Sequence, residues 1–430
     1  MRDYTTSVHQ KKRGGDMAKR NDLHCWRVVS AAALLTSTAG TAGAADLKNF
    51  LTDLYGGNGI FLAPVSPIPF AALHAPHFNA DSIQAFARLN DSIVSGVGTP
   101  AFNSTVTGIT FDVASGVPVE TQNSLGPLLV ESARTLGKGK VDLAFGYSRI
   151  KYDRLDGRKL DNYLLDMHHN DCCTAGNPEV PPPDGAITGF ENDEIEVRVK
   201  TKLNFDVLGL FANYGITDRW DVGVVVPVIR AEARANAHAE VLAISGSNIH
   251  TFEGQSNLQN SRTGGTKTGI GDVIVRTKYN LLRESGSAPD LAVLAQVTAP
   301  TGDDDNLLGT GETKYKAGVI TSKNFGTVGT HLNLAYEMTT GPKVQDNMTY
   351  AAGVDLRASS TFTVGADFLG RWNPDQEEIG SNVVDFALSA KWNPFKGMNA
   401  PFNAYIIVPV NKDQGLRSDL VYGVGFDFVL

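Results

Sequence analysis

Three features of this 430-residue sequence hold side chains able to do chemistry. His168-His169-Asn170-Asp171-Cys172-Cys173 offers nitrogen and sulfur donors of the kind metals take. A metal needs ligands held in fixed geometry. Adjacent residues in a loop that continues into Pro181-Pro182-Pro183, with no second cluster, do not supply it, so no metal site is expected. Asp303-Asp304-Asp305-Asn306 lacks the spaced ligands and terminal Glu of a calcium loop and reads as a solvated acidic loop. For nucleophilic catalysis there is no Gly-x-Ser-x-Gly elbow, and His74 and His77 have no evident Ser or Asp partner. The chain is therefore not expected to be an enzyme or to carry a cofactor.

The richer chemistry lies in charges spaced by two. In 194–206, Ile195, Val197, Val199, Leu203 and Phe205 alternate with Glu194, Glu196, Arg198, Lys200, Lys202 and Asn204. Val273, Val275, Tyr279 and Leu281 alternate with Asp272, Arg276, Lys278 and Asn280. The same holds for Phe362, Val364, Phe368 and Trp372 against Asp367 and Arg371, and for Val384, Phe386, Leu388 and Trp392 against Asp385 and Lys391. In a strand, successive side chains point to opposite faces, so each run has one apolar and one polar face. Placing the polar faces around a lumen lines it with Arg198, Lys200, Lys202, Arg276, Lys278 and Lys316 on early strands. Glu337, Asp355, Asp367, Arg371, Asp385, Lys391 and Asp427 follow on later ones, with His331 the one strand histidine on the lumen side. Two readings stay open: opposed walls that orient a dipolar solute, or internal ion pairs that fill a narrow tube.

The elements that must carry these residues are strands. Twelve alternating runs occupy 140–153, 194–214, 220–241, 268–282, 290–301, 312–323, 328–340, 348–357, 361–373, 381–393, 402–410 and 419–430. Most are long enough for the roughly 9–11 residues that cross a bilayer at a tilt. Short connections at 216–219, 284–289, 324–327, 357–360 and 394–400 alternate with longer ones at 156–193, 243–267, 302–310, 341–346, 374–380 and 411–417. Tyr214, Trp220, Trp372, Trp392 and Phe395 sit near run ends, where an interfacial girdle belongs. Pro227 and Pro409 suggest bulges or rim positions. With 20% charged residues and mean hydropathy −0.13, no charge-free run is apolar enough for a membrane helix. Contact with lipid then requires a closed barrel. The expected fold is all-β: a transmembrane antiparallel β-barrel of about twelve strands over 140–430. A net charge of −8 argues against a nucleic-acid partner.

Charge is unevenly spread. Residues 1–27 carry seven Lys/Arg against three Asp/Glu, 28–45 carry none, and the rest carries 31 against 43. A basic stretch from Met17 to Arg27, an apolar run from Val28 and Ala42-Gly43-Ala44 read as an export signal over 1–45, with Met17 a possible true start. Cys25 precedes the apolar run and leaves with it. Cys172 and Cys173 are either a vicinal disulfide or two surface thiols. Residues 46–139 break the repeat. A short helix over Leu47 to Tyr55, a longer one over Asn79 to Val94 capped by Asp81 or Ser82, and a hairpin of Ile109–Phe111 with Val117–Glu120 are expected. This segment could lie in the periplasm or add a strand pair for fourteen; a plug inside the barrel is favoured.

The final run Tyr422, Val424, Phe426, Phe428, Leu430 resembles the C-terminal assembly signal of outer-membrane proteins, with Leu430 where an aromatic normally stands. Over roughly 125–430 the sequence resembles the outer-membrane transporter family of phenol meta-cleavage pathways, distant relatives of hydrocarbon and fatty-acid uptake barrels. The resemblance rests on Leu136-Gly137-Lys138-Gly139-Lys140, Tyr214-Gly215-Ile216-Thr217-Asp218-Arg219-Trp220-Asp221 and Thr268-Gly269-Ile270-Gly271-Asp272-Val273. Ala299-Pro300-Thr301-Gly302-Asp303 and Leu308-Gly309-Thr310-Gly311 complete it. These are turn and rim sequences, so they speak to barrel type and not to solute. The resemblance implies an outer-membrane channel or transporter for small apolar or amphipathic molecules; the alternative is a non-transporting surface or structural barrel. Expected partners are outer-membrane lipid and lipopolysaccharide, periplasmic chaperones, the barrel-assembly machinery after Sec-type export, and an unidentified small solute.

Overall fold

The computed structural model describes residues 46–63, 77–97, 109–112, 117–120, 125, 128–168, 193–244, 250–341, 345–373, 382–395 and 400–429. The proposed signal, Cys172 and Cys173, most of the His-Cys cluster and Leu430 lie outside them. Ahead of the barrel come two 3-10 turns (Leu47–Asn49 and Leu54–Gly57) and helix α1 (Asn79–Val97). A two-stranded sheet follows, β1 (Ile109–Asp112) with β2 (Val117–Glu120), separate from the barrel. The hairpin therefore adds nothing to the wall, and the count stays at twelve.

The wall begins with β3 (Val141–Leu155), to which the short β4 (Arg158–Lys159) pairs; β5 (Tyr163–His168) follows outside the ring. Next come β6 (Glu194–Thr217) and β7 (Trp220–Leu242), then β8 (Leu258–Ile270), also outside the ring. The ring continues with β9 (Val273–Leu282), β10 (Asp290–Ala299), β11 (Lys314–Phe325), β12 (Val328–Thr339) and β13 (Asn347–Ser359). It ends with β14 (Phe362–Trp372), β15 (Asn382–Trp392), β16 (Phe402–Pro409) and β17 (Leu416–Val429). Each of these pairs antiparallel with the next, and β17 pairs back onto β3 with Phe426 opposite Phe145. The result is a closed twelve-stranded antiparallel barrel. Closure removes every edge in the wall, as lipid demands.

The outer face is apolar. Leu143, Phe145, Leu210, Val275, Val319, Leu334, Val354, Phe368, Leu388 and Val424 are all exposed large hydrophobics in the isolated chain. Trp220, Phe362, Trp392 and Phe402 ring the end with short turns, and Tyr315, Tyr336, Tyr350 and Trp372 ring the end with long loops. These are the two aromatic girdles of a membrane barrel. Tyr422, Val424, Phe426 and Phe428 alternate along β17 with the inward Gly423, Gly425 and Asp427.

Two loops expected over 156–193 and 243–267 contain strands instead. β6 and β7 have 24 and 23 residues, about twice what a bilayer needs. Their loop-end halves project beyond the wall, where β5 covers the free edge of β6 and β8 that of β7. Bare edges of that length would present unpaired backbone groups. The run expected as one strand at 268–282 is broken at Gly271-Asp272, where β7 exchanges β9 for β8 as neighbour. Pro227 lies at this exchange, so its missing N–H falls in a gap in the ladder.

The two faces make a direct test. Phe386 points outward near mid-strand, its ring centroid 5.1 Å from that of Phe368. Phe386→Arg is expected to reduce the assembled, heat-modifiable fraction, at a cost of about 2–4 kcal/mol for Arg near the midplane. Ala351→Arg, inward and half-buried between Asn333 and Leu369, should assemble normally. Equal assembly of both variants would mean that the faces of this wall are assigned wrongly.

Candidate functional site

The residues ahead of β3 contact inward-facing side chains at both ends of the barrel. At the turn end, 125 and 128–139 form a strap that touches most of the circumference. Leu125 N donates to Thr363 Oγ1 (3.1 Å) on β14, and Lys391 Nζ on β15 donates to Leu125 O (3.4 Å). Leu128 packs on Ala387, Tyr405 and Ile407 of β15 and β16. Glu131 N donates to Asn333 Oδ1 (2.7 Å) on β12, and Ala133 N to Ser322 Oγ (2.9 Å) on β11. Arg134 pairs with Asp290 (2.9 Å) and Glu284 (2.8 Å), and Leu136 N donates to Asp221 (2.9 Å) on β7. The segment thus meets inward-facing groups of strands around most of the ring.

Charge fixes the middle of the strap. Glu131 accepts from Arg276 and from Lys278 Nζ (3.1 Å), and Lys278 also donates to Ser132 O (2.9 Å). Only 12% of the Glu131 side chain is exposed, against 15% for Arg276 and 2% for Lys278. Burial pushes the Glu131 carboxyl up, but the two cations outweigh it and hold its pKa at about 2. The stabilisation is thus complete above the ordinary glutamate value near 4.5 and lost as pH falls through about 2. We expect the wild-type strap to loosen between about pH 4.5 and 2, read as protease access to 125–139. A Glu131→Gln variant should lack that window. A parallel acid profile for both proteins would remove Glu131 as the anchor.

A chain of hydrogen bonds backs the strap. Ser322 Oγ accepts from Ala133 N and lies 2.8 Å from His331 Nδ1, and His331 Nε2 meets Asp355. These are the residue types of a nucleophilic triad, but Ser322 is spent on the strap and all three are buried. Their arrangement anchors backbone.

At the loop end a different chemistry prevails. Leu47, Phe50, Leu51 and Leu54 join Phe86, Leu89, Ile93 and Val97 of α1 in one apolar cluster with the inner face of β6 and β7. The helical stripe follows from its spacing, with apolar residues at 86, 89, 93 and 97 on one side. Asp81 accepts from His168 N (3.0 Å) and Ser82 Oγ from Ile60 N (2.9 Å), so the first turn is fastened to β5 and to the preceding segment. Asp304 and Asp305, expected to be merely solvated, pair with Lys48 at 3.0 and 3.6 Å.

Ten of the thirteen charges expected in the lumen face inward. Arg276, Lys278, Lys316, Glu337, Asp355, Asp367, Arg371, Asp385, Lys391 and Asp427 all share a face with buried wall residues. Lys316 pairs with Glu337 (3.0 Å), Lys391 with Asp427 (3.8 Å), and Asp385 with Arg417 (2.6 Å). Pairing between adjacent strands (β11 with β12) and across one strand (β15 with β17) fits the second reading, a tube filled by ion pairs. Arg198, Lys200 and Lys202 correct the expectation: they are exposed on the outside. Above the wall the inner face of β6 is covered by the apolar N-terminal segment. There Ile195, Val197, Val199, Leu203 and Phe205 turn inward and the cations outward.

The short motifs that carry the family resemblance meet in two knots. At the turn end, Gly139 N donates to Gly215 O (2.8 Å), Gly215 N to Lys140 O (2.9 Å) and Lys138 N to Asp218 (3.1 Å). A Cβ at position 215 would land on the backbone of Gly137, which explains the glycine. At the loop end Asp272 accepts from Gly302 N (3.0 Å), Thr310 N (2.8 Å) and Thr310 Oγ1 (2.9 Å), and Thr301 Oγ1 donates to Gly271 O (2.8 Å). Spacing alone hides both knots, because their partners are far apart in sequence. Among the described residues no group of three His, Cys, Asp or Glu could hold a metal.

No curated protein matches the chain. An outer membrane channel from Pseudomonas putida F1 is 13% identical, with 69% of this chain and 98% of that chain covered at a TM-score of 0.41. A FadL homologue from Pseudomonas aeruginosa is 12% identical, covering 78% and 98% at 0.33. The Ralstonia pickettii toluene transporter TbuX is 11% identical, covering 68% and 90% at 0.36. The barrel itself stands on its own strand pairing. The model of the family described as "Putative MetA-pathway of phenol degradation" matches residues 199–374, from β6 to just past β14.

Proposed function

We propose that the barrel is an outer-membrane channel for small apolar or amphipathic molecules, with residues 46–139 as its internal plug and the loop end facing outward. One observation carries the reading: a closed tube is crossed by a strap whose central carboxylate is held by two lumen cations. Such an obstruction is joined by polar contacts that can part while the wall keeps its ladder. The inner face at the loop end is apolar, with Ile195, Val197 and Phe205 packed under the N-terminal segment, which favours apolar solutes over sugars or ions once that segment parts. The family's association with phenol degradation makes a small aromatic the natural first solute.

Uptake tests this directly. The lipopolysaccharide leaflet slows apolar molecules, so an intact Gram-negative host producing the protein should accumulate a labelled alkylbenzene faster than vector-only cells. Accumulation of a labelled disaccharide should not change. Equal alkylbenzene uptake in both hosts would overturn the channel and favour a surface or structural barrel.

A further inference from the structure

We infer that the outer face of β3, β6 and β7, just beyond the lipid band, is a docking site for the phosphates of a lipid headgroup in the loop-end leaflet. The inference rests on the seating of the barrel in a membrane and is independent of what the lumen passes.

The change from apolar to charged happens within one register step. Tyr147, Leu208 and Val228 stand side by side on the outer face, as the last lipid-facing positions of three neighbouring strands. The next outward residues are Arg149, Asp206 and Arg230, again side by side. Beyond them come Lys151, Asn204 and Glu232, then Lys202 opposite Arg234. Outward residues two apart along a strand are about 6–7 Å apart, and strands are about 4.8 Å apart. These cations thus sit at headgroup depth.

Their arrangement suits an anion. Asp206 accepts from Arg149 (2.7 Å) and Arg230 (3.4 Å) and from the Tyr147 hydroxyl (2.6 Å). Glu232 accepts from Lys202 (2.9 Å) and lies 3.2 Å from Arg234. Two carboxylates therefore organise four cations, and the cluster keeps an excess of positive charge. Side-chain exposures of 48% for Arg230, 56% for Lys202 and 54% for Arg234 leave these heads open. A guanidinium has five N–H donors, so a contact to a carboxylate leaves others for phosphate oxygens. Lys200, exposed one outward position further on, adds another cation. A membrane channel gains nothing from exposed Arg–Asp–Arg bridges at the lipid edge by themselves. As a cradle for phosphate they have a partner of complementary charge on the side where the lipid band ends.

The experiment uses the full-length protein in detergent with defined probes: bis-phosphorylated lipid A, the same lipid dephosphorylated, and inorganic phosphate. Wild type should retain phosphorylated lipid A about tenfold more tightly than an Arg230→Gln/Lys202→Gln variant. Dephosphorylated lipid A should bind both proteins alike, and inorganic phosphate at equal concentration should not displace the lipid. Heat-modifiable migration reports folding of the variant, and Lys138→Gln at the opposite end should bind as wild type. Equal retention by folded wild type and variant would overturn the site. An undiminished difference with dephosphorylated lipid, or full displacement by inorganic phosphate, would overturn it as well.

Discussion

Glu131→Gln is expected to open the tube. The substitution leaves Arg276 and Lys278 inside the lumen without their shared counter-charge, and breaking a buried ion pair from one side costs about 3–5 kcal/mol. The cost falls on docking of the strap, since the wall ladder of β9 runs through backbone groups that Glu131 does not touch. Purified variant in planar bilayers should conduct severalfold more than wild type, while its unboiled band still migrates as a folded barrel. Limited proteolysis should now cut within 125–139. A triple variant that also carries Arg276→Gln and Lys278→Met removes the stranded charges, and it should regain much of the thermal stability without regaining the closed state. Unchanged conductance and an uncut strap in Glu131→Gln would show that the remaining contacts, at Leu125, Ala133, Arg134 and Leu136, close the lumen unaided.

The wall was legible in the sequence because lipid imposes a strict rule on it. Outward positions such as Val275, Val354 and Leu388 must be apolar and inward ones need not be, so period-two alternation marks each strand. All twelve runs correspond to strands of the ring, with ends displaced by a few residues. The same rule misled at Arg198, Lys200 and Lys202. Alternation separates two faces but does not say which one faces the lumen. Below the lipid boundary the polar face is inside; above it, water lies outside and the N-terminal segment supplies an apolar interior, so the assignment reverses along a single strand. β6 is continuous through that boundary, and nothing in its spacing announces the change. Its length does: 24 residues are too many for a membrane crossing.

The strap was less legible. Residues 125–139 follow neither a helical nor a strand period, since their groups are satisfied one by one by Thr363, Asn333, Ser322 and Asp221. One sequence signal did point there. Arg276 and Lys278 are two inward cations on β9 with one inward carboxylate, Asp221, opposite them in register, which leaves room for a second lumen acid. β8 gave no signal at all. Its Thr263-Gly264-Gly265-Thr266 stretch has no apolar side, because it covers an edge above the membrane and meets no lipid.

Deleting 46–97 while keeping the export signal should have a different outcome from loosening the strap. The deleted part covers Ile195, Val197, Val199, Leu203 and Phe205 on β6, and Leu155, Leu160 and Met167 beside them. Leaving a large aliphatic or aromatic side chain exposed forfeits about 1.5–3 kcal/mol each, so the projecting halves of β6 and β7 should lose their fixed packing. None of the described residues among those deleted takes part in the ring, which runs from β3 through β17. A folded, heat-modifiable barrel is therefore expected, with new binding of an apolar fluorescent dye and new cleavage in 194–206 or 231–242. Conductance should rise little, because the strap still crosses the turn end. Combining the deletion with Glu131→Gln should give the largest conductance of the set. If the deletion alone opens the channel fully, the barrier lies in the apolar cap at the loop end, and the carboxylate at 131 is an anchor without a gating role.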